Sequence, residues 1–190
     1  MSFINLVMRE DFISIVSDGQ ISLDGEVTNA YFKKFYRSPQ GFVIGLTGYE
    51  KILSEIQKKF HYQPRLDFAE AEAYLLDLLD NFKHKQVAGK LINYNAVIAG
   101  FVNGIAQASS FHAEKGELSQ KDYLQNALIS LAPDDIDFNP NQWIKSGIQQ
   151  VNGSIPQAQL ISLQRAALLK VAEQSDTVNT VIFHETIQKS

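Results

Sequence analysis

Apolar residues near the start of the chain recur with the short period of β-strands. The runs 3–8 and 11–17 are rich in Ile, Val and Phe, and the polar pair Arg9-Glu10 separates them. This arrangement predicts a tight hairpin. In the second run both faces carry apolar side chains, which is typical of a sheet that other layers cover on both sides.

A second hairpin is predicted a little further along the chain. The runs 31–37 and 41–47 have the same strand-like composition, and Ser38-Pro39-Gln40 lies between them. Residues of these types favour a turn. Lys33 and Lys34 fall in the first of the two runs, where neighbouring side chains point to opposite faces. We therefore expect Lys33 to lie at a solvated edge and Lys34 to be buried.

Helical spacing begins after Gly48. The apolar residues of the first helical stretch recur at intervals of three and four: Ile52, Leu53, Ile56 and Phe60. They predict a helix that Pro64 ends. A second helix is predicted to start after Asp67, because aspartate caps helix N-termini well, and its apolar positions continue to Phe82.

The second half of the chain repeats the order of strands followed by helices. The predicted elements are strands at 91–99, 104–112 and 127–131, helices at 141–149 and 156–173, and a last strand at 178–187. The helices come in pairs and do not alternate singly with strands, which argues against a doubly wound parallel sheet. We predict an α+β fold in which two antiparallel sheets lie between two helical layers, a four-layer αββα sandwich. Residues 1–190 are expected to form a single domain.

Composition narrows the classes of function. Of the 190 residues, 45% are hydrophobic and 20% are charged, as in ordinary globular proteins. The net charge of −4 argues against a protein that binds nucleic acid through a basic face. The sequence has no cysteine, which excludes disulfides and thiolate metal ligands. The four histidines lack the spacing of metal ligands, so we expect neither a metal nor a cofactor.

The sequence also argues against a membrane partner. No uninterrupted apolar run approaches the roughly 20 residues that span a bilayer. The first residues lack the basic start and the apolar stretch of a signal peptide. We therefore expect a cytoplasmic protein.

The residue types near the start of the chain allow a particular kind of catalysis. A free amine on the first residue of a chain can act as the base for the hydroxyl of that same residue. A nearby lysine would support the proton network, a carboxylate would orient the lysine, and backbone N–H groups would hold the developing oxyanion. The candidates for these tasks are Ser2, Lys34, Asp18 and Gly48.

The stretch from Ser2 to Gln20 resembles, without a gap, the start of proteasome β subunits and of the bacterial proteasome-like peptidase of the heat-shock protease. The pair Lys33-Lys34 and the turn Gly45-Leu46-Thr47-Gly48 continue the resemblance in the same register. The chain is thus similar to the N-terminal-nucleophile (Ntn) hydrolases. The resemblance implies one role for each candidate: Ser2 as nucleophile, Lys34 in the proton network, Asp18 as ion-pair partner of Lys34, and Gly48 N–H as oxyanion donor.

A second similarity lies near the end of the chain. Asp176-Thr177-Val178-Asn179 resembles the Asp-x-x-Ser turn that braces the N-terminal amine in the same family. The resemblance implies that Asp176 orients the amine, with Asn179 where a serine is commoner. One departure concerns the turn after the central strand, which carries a serine in the family. Here it reads Leu131-Ala132-Pro133-Asp134, without a hydroxyl.

The resemblance implies an amide-bond hydrolase that cleaves peptides through Ser2. This chemistry requires removal of Met1, because a retained Met1 would place the nitrogen of Ser2 in a peptide bond. Two alternatives stay open: a non-catalytic subunit of the same fold that serves in assembly, and an amidase that acts on small molecules. The family also implies a homo-oligomer and an ATPase partner.

Overall fold

The computed structural model describes residues 2–23, 26–87, 89–150 and 155–189. In chain order, the strands are β1 (Ile4–Met8), β2 (Phe12–Asp18), β3 (Ile21–Leu23), β4 (Glu26–Asn29), β5 (Phe35–Arg37), β6 (Phe42–Thr47), β7 (Gln86–Val87), β8 (Lys90–Leu91), β9 (Tyr94–Val102), β10 (Ile105–Glu114), β11 (Glu117–Leu124), β12 (Leu128–Leu131) and β13 (Ile182–Gln188). The helices are α1 (Glu50–His61), α2 (Phe68–Phe82), α3 (Pro140–Gln149) and α4 (Gln157–Ala172).

The longer strands form two antiparallel sheets. Sheet I has the order β12-β1-β2-β13, and sheet II has the order β11-β10-β9-β6-β5. Both hairpins predicted near the start of the chain are present, since β1 pairs with β2 and β5 pairs with β6. The last strand of the chain, β13, returns to pair with β2. The end of the chain therefore lies beside its beginning.

All four predicted helices are present, and local signals explain their ends. Asp67 caps α2 by accepting a hydrogen bond from the Glu70 amide, while the Glu70 side chain accepts one from the Asp67 amide. Such a reciprocal cap satisfies two amides that the helix itself leaves without partners. In α1 the buried residues are the four that the sequence places on one stripe. Among the helices of the described residues, none is both long and apolar enough to cross a membrane.

Several elements differ from the sequence expectation. The chain enters β5 only at Phe35 and β13 only at Ile182, so the predicted strands at 31–37 and 178–187 start too early. Before β5, Lys34 turns toward sheet I to reach Asp18, which takes this segment out of a regular strand. Before β13, the Asn179 side chain accepts a hydrogen bond from the Val181 amide that a strand would otherwise give to a neighbour.

Sequence analysis missed β11 and two short hairpins, β3–β4 and β7–β8. The β11 sequence ELSQKDYL is mostly polar and exposed, so it carries little of the apolar alternation that marks a strand. Its pairing with β10 at the edge of sheet II defines it as a strand. The bounds of β9 and β10 also shift by a few residues from the prediction.

Buried apolar residues form clusters on both faces of each sheet. One cluster combines residues of sheet I with residues of sheet II, among them Ile4, Leu6, Val43 and Val97. Another joins α1 and α2 to sheet II, and others join α3 and α4 to sheet I. Every side chain of β1 and β2 is buried. Asp18, the last residue of β2, is therefore shielded from water as well.

Candidate active site

Asp18, the last residue of β2, binds three groups through its carboxylate. Oδ1 accepts a hydrogen bond of 2.8 Å from the Phe3 amide. Oδ2 accepts one of 2.6 Å from Lys34 Nζ and one of 2.8 Å from the Gln20 amide. A buried carboxylate needs such partners, because it has lost its hydration. Asp18 therefore ties the first strand of sheet I to the segment that leads into sheet II.

Lys34 is the cationic member of this site, and its side chain has no exposed surface. Burial lowers the pKa of the Lys34 amine, because the charged form has lost its water, while the charge of Asp18 opposes that shift. A lysine in this condition releases its proton more readily than one in water. It also places a positive charge beside the start of β1, where a nearby amine would be easier to keep neutral.

Ser2 lies two residues before the start of β1 and is only 6% exposed. The next residue, Phe3, both donates its amide to Asp18 Oδ1 and accepts the Asp18 amide at 3.3 Å through its carbonyl. This exchange fixes the backbone next to Ser2 against the end of β2. Met1, whose removal would free the Ser2 amine, lies outside the described residues.

Gly48 follows β6 and has a backbone φ of +123°. A Cβ at this position would lie 2.8 Å from both Asn93 O and Tyr94 Cβ, so no other residue fits without a shift of the backbone. Gly48 lines a cavity of about 580 Å³, a size that is typical of ligand pockets, and Ala132 and Asp134 line the same cavity. The cavity gives a bound molecule access to the backbone of this turn.

Asn179 and Asp176 reach the site through the turn after β2. Asn179 Oδ1 accepts the Gly19 amide at 3.0 Å, and Asn179 Nδ2 donates to Ala30 O at 2.9 Å. Asp176 is an exposed residue, and its carbonyl accepts a hydrogen bond of 2.5 Å from Gln20 Nε2. Both residues therefore hold the Gly19-Gln20 turn, and the tie from Asp176 runs through its backbone.

The candidates that sequence analysis selected are connected by contacts. Asp18 and Lys34 are in direct contact, and Ser2 is joined to them through the backbone of its neighbour Phe3, whose amide shares the Asp18 carboxylate with the Lys34 amine. Gly48 approaches from sheet II. Two residues before it, the Leu46 amide donates to Lys34 O at 2.9 Å. Within the described residues, no group of three or more His, Asp or Glu side chains is arranged to hold a metal ion.

Two further polar residues at this site escaped sequence analysis. Gln20 links the turn after β2 to the Asp176 carbonyl, a tie that only tertiary structure creates. Ser17 lies in β2 one residue before Asp18, and its hydroxyl is buried without a hydrogen-bond partner among the described residues. A polar residue at that point of an apolar run was the available signal, since strand interiors otherwise favour apolar side chains.

Comparison with solved structures identifies the fold. The chain is similar to the crystal structure of eukaryotic HslV from Trypanosoma brucei, with a TM-score of 0.62 over 98% of this chain and 99% of that chain. The chain has the HslV fold. The resemblance to proteasome-like Ntn hydrolases is thereby confirmed at the level of the fold. Sequence identity to that HslV is 13%, so the likeness concerns the fold alone.

Comparisons of the sequence, in contrast, find no related protein or family. No protein-family profile matches the chain, and no curated protein matches it. The likeness to HslV is therefore one of fold, seen in the structure and not in the sequence. What the site does must be argued from its own residues.

Proposed function

We propose that the chain is an amide-bond hydrolase, a proteasome-like peptidase that uses Ser2 as nucleophile after Met1 is removed. The observation that carries this proposal is the buried carboxylate of Asp18, which holds both the Phe3 amide and the Lys34 amine. It places a lysine with a lowered pKa next to the residue that would become the N-terminus. A buried ion pair is a costly feature that cores seldom need, and function is a common reason for keeping one.

The chemistry of the proposed reaction follows from these groups. Ser2 Oγ attacks the carbonyl carbon of the scissile amide, and its proton passes through water to the Ser2 α-amine. The Gly48 N–H holds the oxyanion that develops on the carbonyl oxygen. The α-ammonium then protonates the leaving nitrogen, the C–N bond breaks, and water hydrolyses the ester left on Ser2.

The remaining residues keep this arrangement in place. Asp18 fixes Lys34, whose positive charge favours the neutral, basic form of the Ser2 amine. Asn179 holds the Gly19 amide, and Asp176 holds Gln20. Of these residues, we assign to Asp176 the orientation of the amine, as the family resemblance implies.

The proposal includes a four-layer αββα arrangement over a single domain, residues 1–190. Its support is the set of apolar clusters between the two sheets and between each sheet and its pair of helices. Because the fold is that of HslV, we also propose a homo-oligomer that acts on peptide or amide substrates with an ATPase partner.

The test combines intact mass with hydrolysis. Untagged protein should lack the mass of Met1, and it should cleave a fluorogenic peptide. The Ser2→Ala variant should lose that cleavage, whereas Ser162→Ala, a change at an exposed serine of α4, should keep it. If Met1 stays on the chain, or if Ser2→Ala cleaves at the wild-type rate, Ser2 is not the nucleophile.

One observation favours a second candidate, a non-catalytic subunit of the same fold. Ala132 lines the cavity beside Gly48, at the turn where the family carries a hydroxyl. This candidate predicts that a peptide warhead that reacts with hydroxyls leaves Ser2 unlabelled while the protein still assembles in gel filtration. Labelling of Ser2 in the processed chain would exclude it.

A further inference from the structure

Ser17 carries a buried hydroxyl that the folded core does not use. Ser17 is fully buried, and its Oγ has no hydrogen-bond partner among the described residues. Most buried polar side chains are hydrogen-bonded, so an exception calls for a specific reason. Alanine at this position would avoid the free-energy cost of burying a hydroxyl group without a hydrogen bond.

The register of sheet I shows which way this hydroxyl points. Ser17 lies opposite Ile4 in the β1–β2 pair, and residues that oppose each other in a sheet share a face. Ser2 precedes Ile4 by two residues, so it continues that same face. Ser2 and Ser17 are thus diagonal neighbours, whose Cα atoms in an antiparallel pair lie about 7–8 Å apart. Two serine hydroxyls at that separation can share one water molecule.

Sheet II covers the same face of sheet I. Phe35 pairs with Gly45, and a Cβ on Gly45 would lie 3.2 Å from Ile4 Cδ1. The β5–β6 hairpin therefore lies over Ile4, the residue that opposes Ser17. Lys34, one residue before Phe35, binds the carboxylate of Asp18. Asp18 follows Ser17 in β2 and belongs to the other face of the strand. The relation that brings the Ser17 hydroxyl to the proposed site is therefore its diagonal position to Ser2.

We propose that Ser17 is a positioning residue for proton transfer from Ser2. Its hydroxyl donates a hydrogen bond to a water that bridges to the α-amine of Ser2. In the reaction, which rests on the proposed function, this water takes the proton of Ser2 Oγ and gives one of its own to the amine. Ser17 keeps its own proton throughout. By pointing a hydrogen of the water at the amine nitrogen, it stabilises the neutral amine and lowers the pKa of that amine.

The same strand offers a matched control. Ser14 is equally buried, but it faces the other side of sheet I, where its hydroxyl donates to Gln164 Oε1 at 2.6 Å. Gln164 in turn donates to Asn5 Oδ1 at 2.8 Å. Ser14 thus belongs to a satisfied polar network that holds α4 on the sheet. Its removal should affect stability and leave the proton path alone.

The first experiment measures the Ser2 amine directly. Chain released from an N-terminal fusion, so that Ser2 is its first residue, is acylated across a range of pH, and the modified fraction is read by mass spectrometry. Ser17→Ala should raise the amine pKa by about half a unit to one unit, the equivalent of one lost hydrogen bond. Ser17→Thr should restore the lower pKa, and Ser14→Ala should leave it unchanged. An amine pKa that Ser17→Ala does not move overturns the assignment.

The second experiment separates a positioning role from a structural one. Ser17→Ala should unfold at the wild-type temperature or above it, whereas Ser14→Ala should lose about 2–6 °C. The pH profile of peptide hydrolysis should move to higher pH in Ser17→Ala. A loss of stability equal to that of Ser14→Ala, with an unchanged pH profile, overturns the proposal. If the amine pKa moves as expected but even the wild-type chain cleaves nothing, the Ser17 assignment stands and the proposed function fails.

Discussion

Lys34 Nζ lies 2.6 Å from Asp18 Oδ2, and neither side chain has any exposed surface. Asp18 ends β2 in sheet I, and Lys34 directly precedes β5 in sheet II. Their contact joins the end of β2 to the segment that leads into β5, next to the beginning of the chain. The neighbouring lysine lies at the surface: the side chain of Lys33 is 41% exposed and forms an ion pair with Glu185. This contrast provides the first prediction.

Removing one partner of the buried pair should strongly destabilise the protein. Asp18→Asn leaves the Lys34 charge uncompensated, and Lys34→Met leaves Asp18 without its cation. Each should lower the free energy of unfolding by about 3–5 kcal/mol. Lys33→Met removes a surface ion pair with Glu185 and a cation–π contact with Phe35, and it should lower the free energy of unfolding by only about 1 kcal/mol. Urea unfolding measures all three, and equal effects at the two lysines would contradict the assignment of Lys34 to the interior.

The lowered pKa of Lys34 should make stability depend on pH on the alkaline side. Below the folded-state pKa the amine is charged in both states, and the cost of burying the charge is present in full. As the pH rises toward 10.5, the ordinary value, the folded state loses its proton before the unfolded state does, so stability increases. The free-energy difference between wild type and Lys34→Met should therefore shift in favour of wild type as the pH rises toward 10.5. A difference that stays flat over that range would show that burial leaves this pKa unshifted.

The turn at Gly48 should tolerate no side chain. In Gly48→Ala the new Cβ would meet Asn93 O and Tyr94 Cβ at 2.8 Å, and the backbone φ of +123° is itself unfavourable for alanine. We expect a loss of about 2–4 kcal/mol in stability and a large drop in kcat. Gly41→Ala is the control, because φ is +83° there but nothing lies within 4 Å of the new Cβ. Gly41→Ala should lower the free energy of unfolding by about 1 kcal/mol and leave the rate of hydrolysis unchanged. Similar losses in both variants would mean that φ alone, and not the contact with Tyr94, limits this turn.

Asn179 should be important for the turn after β2. Asn179→Ala removes the acceptor of the Gly19 and Val181 amides and the donor to the Ala30 carbonyl. We expect a loss of about 2–3 kcal/mol, because these backbone groups lose their partner. Asn81→Ala, at an exposed position of α2, is the control and should change stability by less than about 0.5 kcal/mol. Thermal unfolding compares the two, and equal midpoints would show that water replaces the Asn179 amide at no cost.

Local sequence was enough to predict the helices and the β1–β2 and β5–β6 hairpins. The stripe in α1 and the capping residue Asp67 act within a few positions of the chain, so their signals survive without tertiary contacts. The β11 strand could not be predicted from local sequence, because its residues are mostly polar and only its pairing with β10 makes it a strand. The predicted starts of β5 and β13 were wrong for a related reason. There, bonds of Lys34 and Asn179 to distant groups replace the regular pairing of a strand.

Sequence by itself determined the residue types of the candidate site and their order along the chain, Ser2, Asp18, Lys34 and Gly48, because a gapless spacing can be read without coordinates. Tertiary structure alone decided which atoms meet. The carboxylate of Asp18 binds the Phe3 amide and Lys34, and Ser17 Oγ finds no hydrogen-bond partner in the part of the chain that the structure describes. These outcomes depend on how the two sheets and the last strand of the chain pack together. Hydrogen bonds between segments that are distant along the chain leave no periodic trace in it, and that is the physical reason why the contacts required a structure.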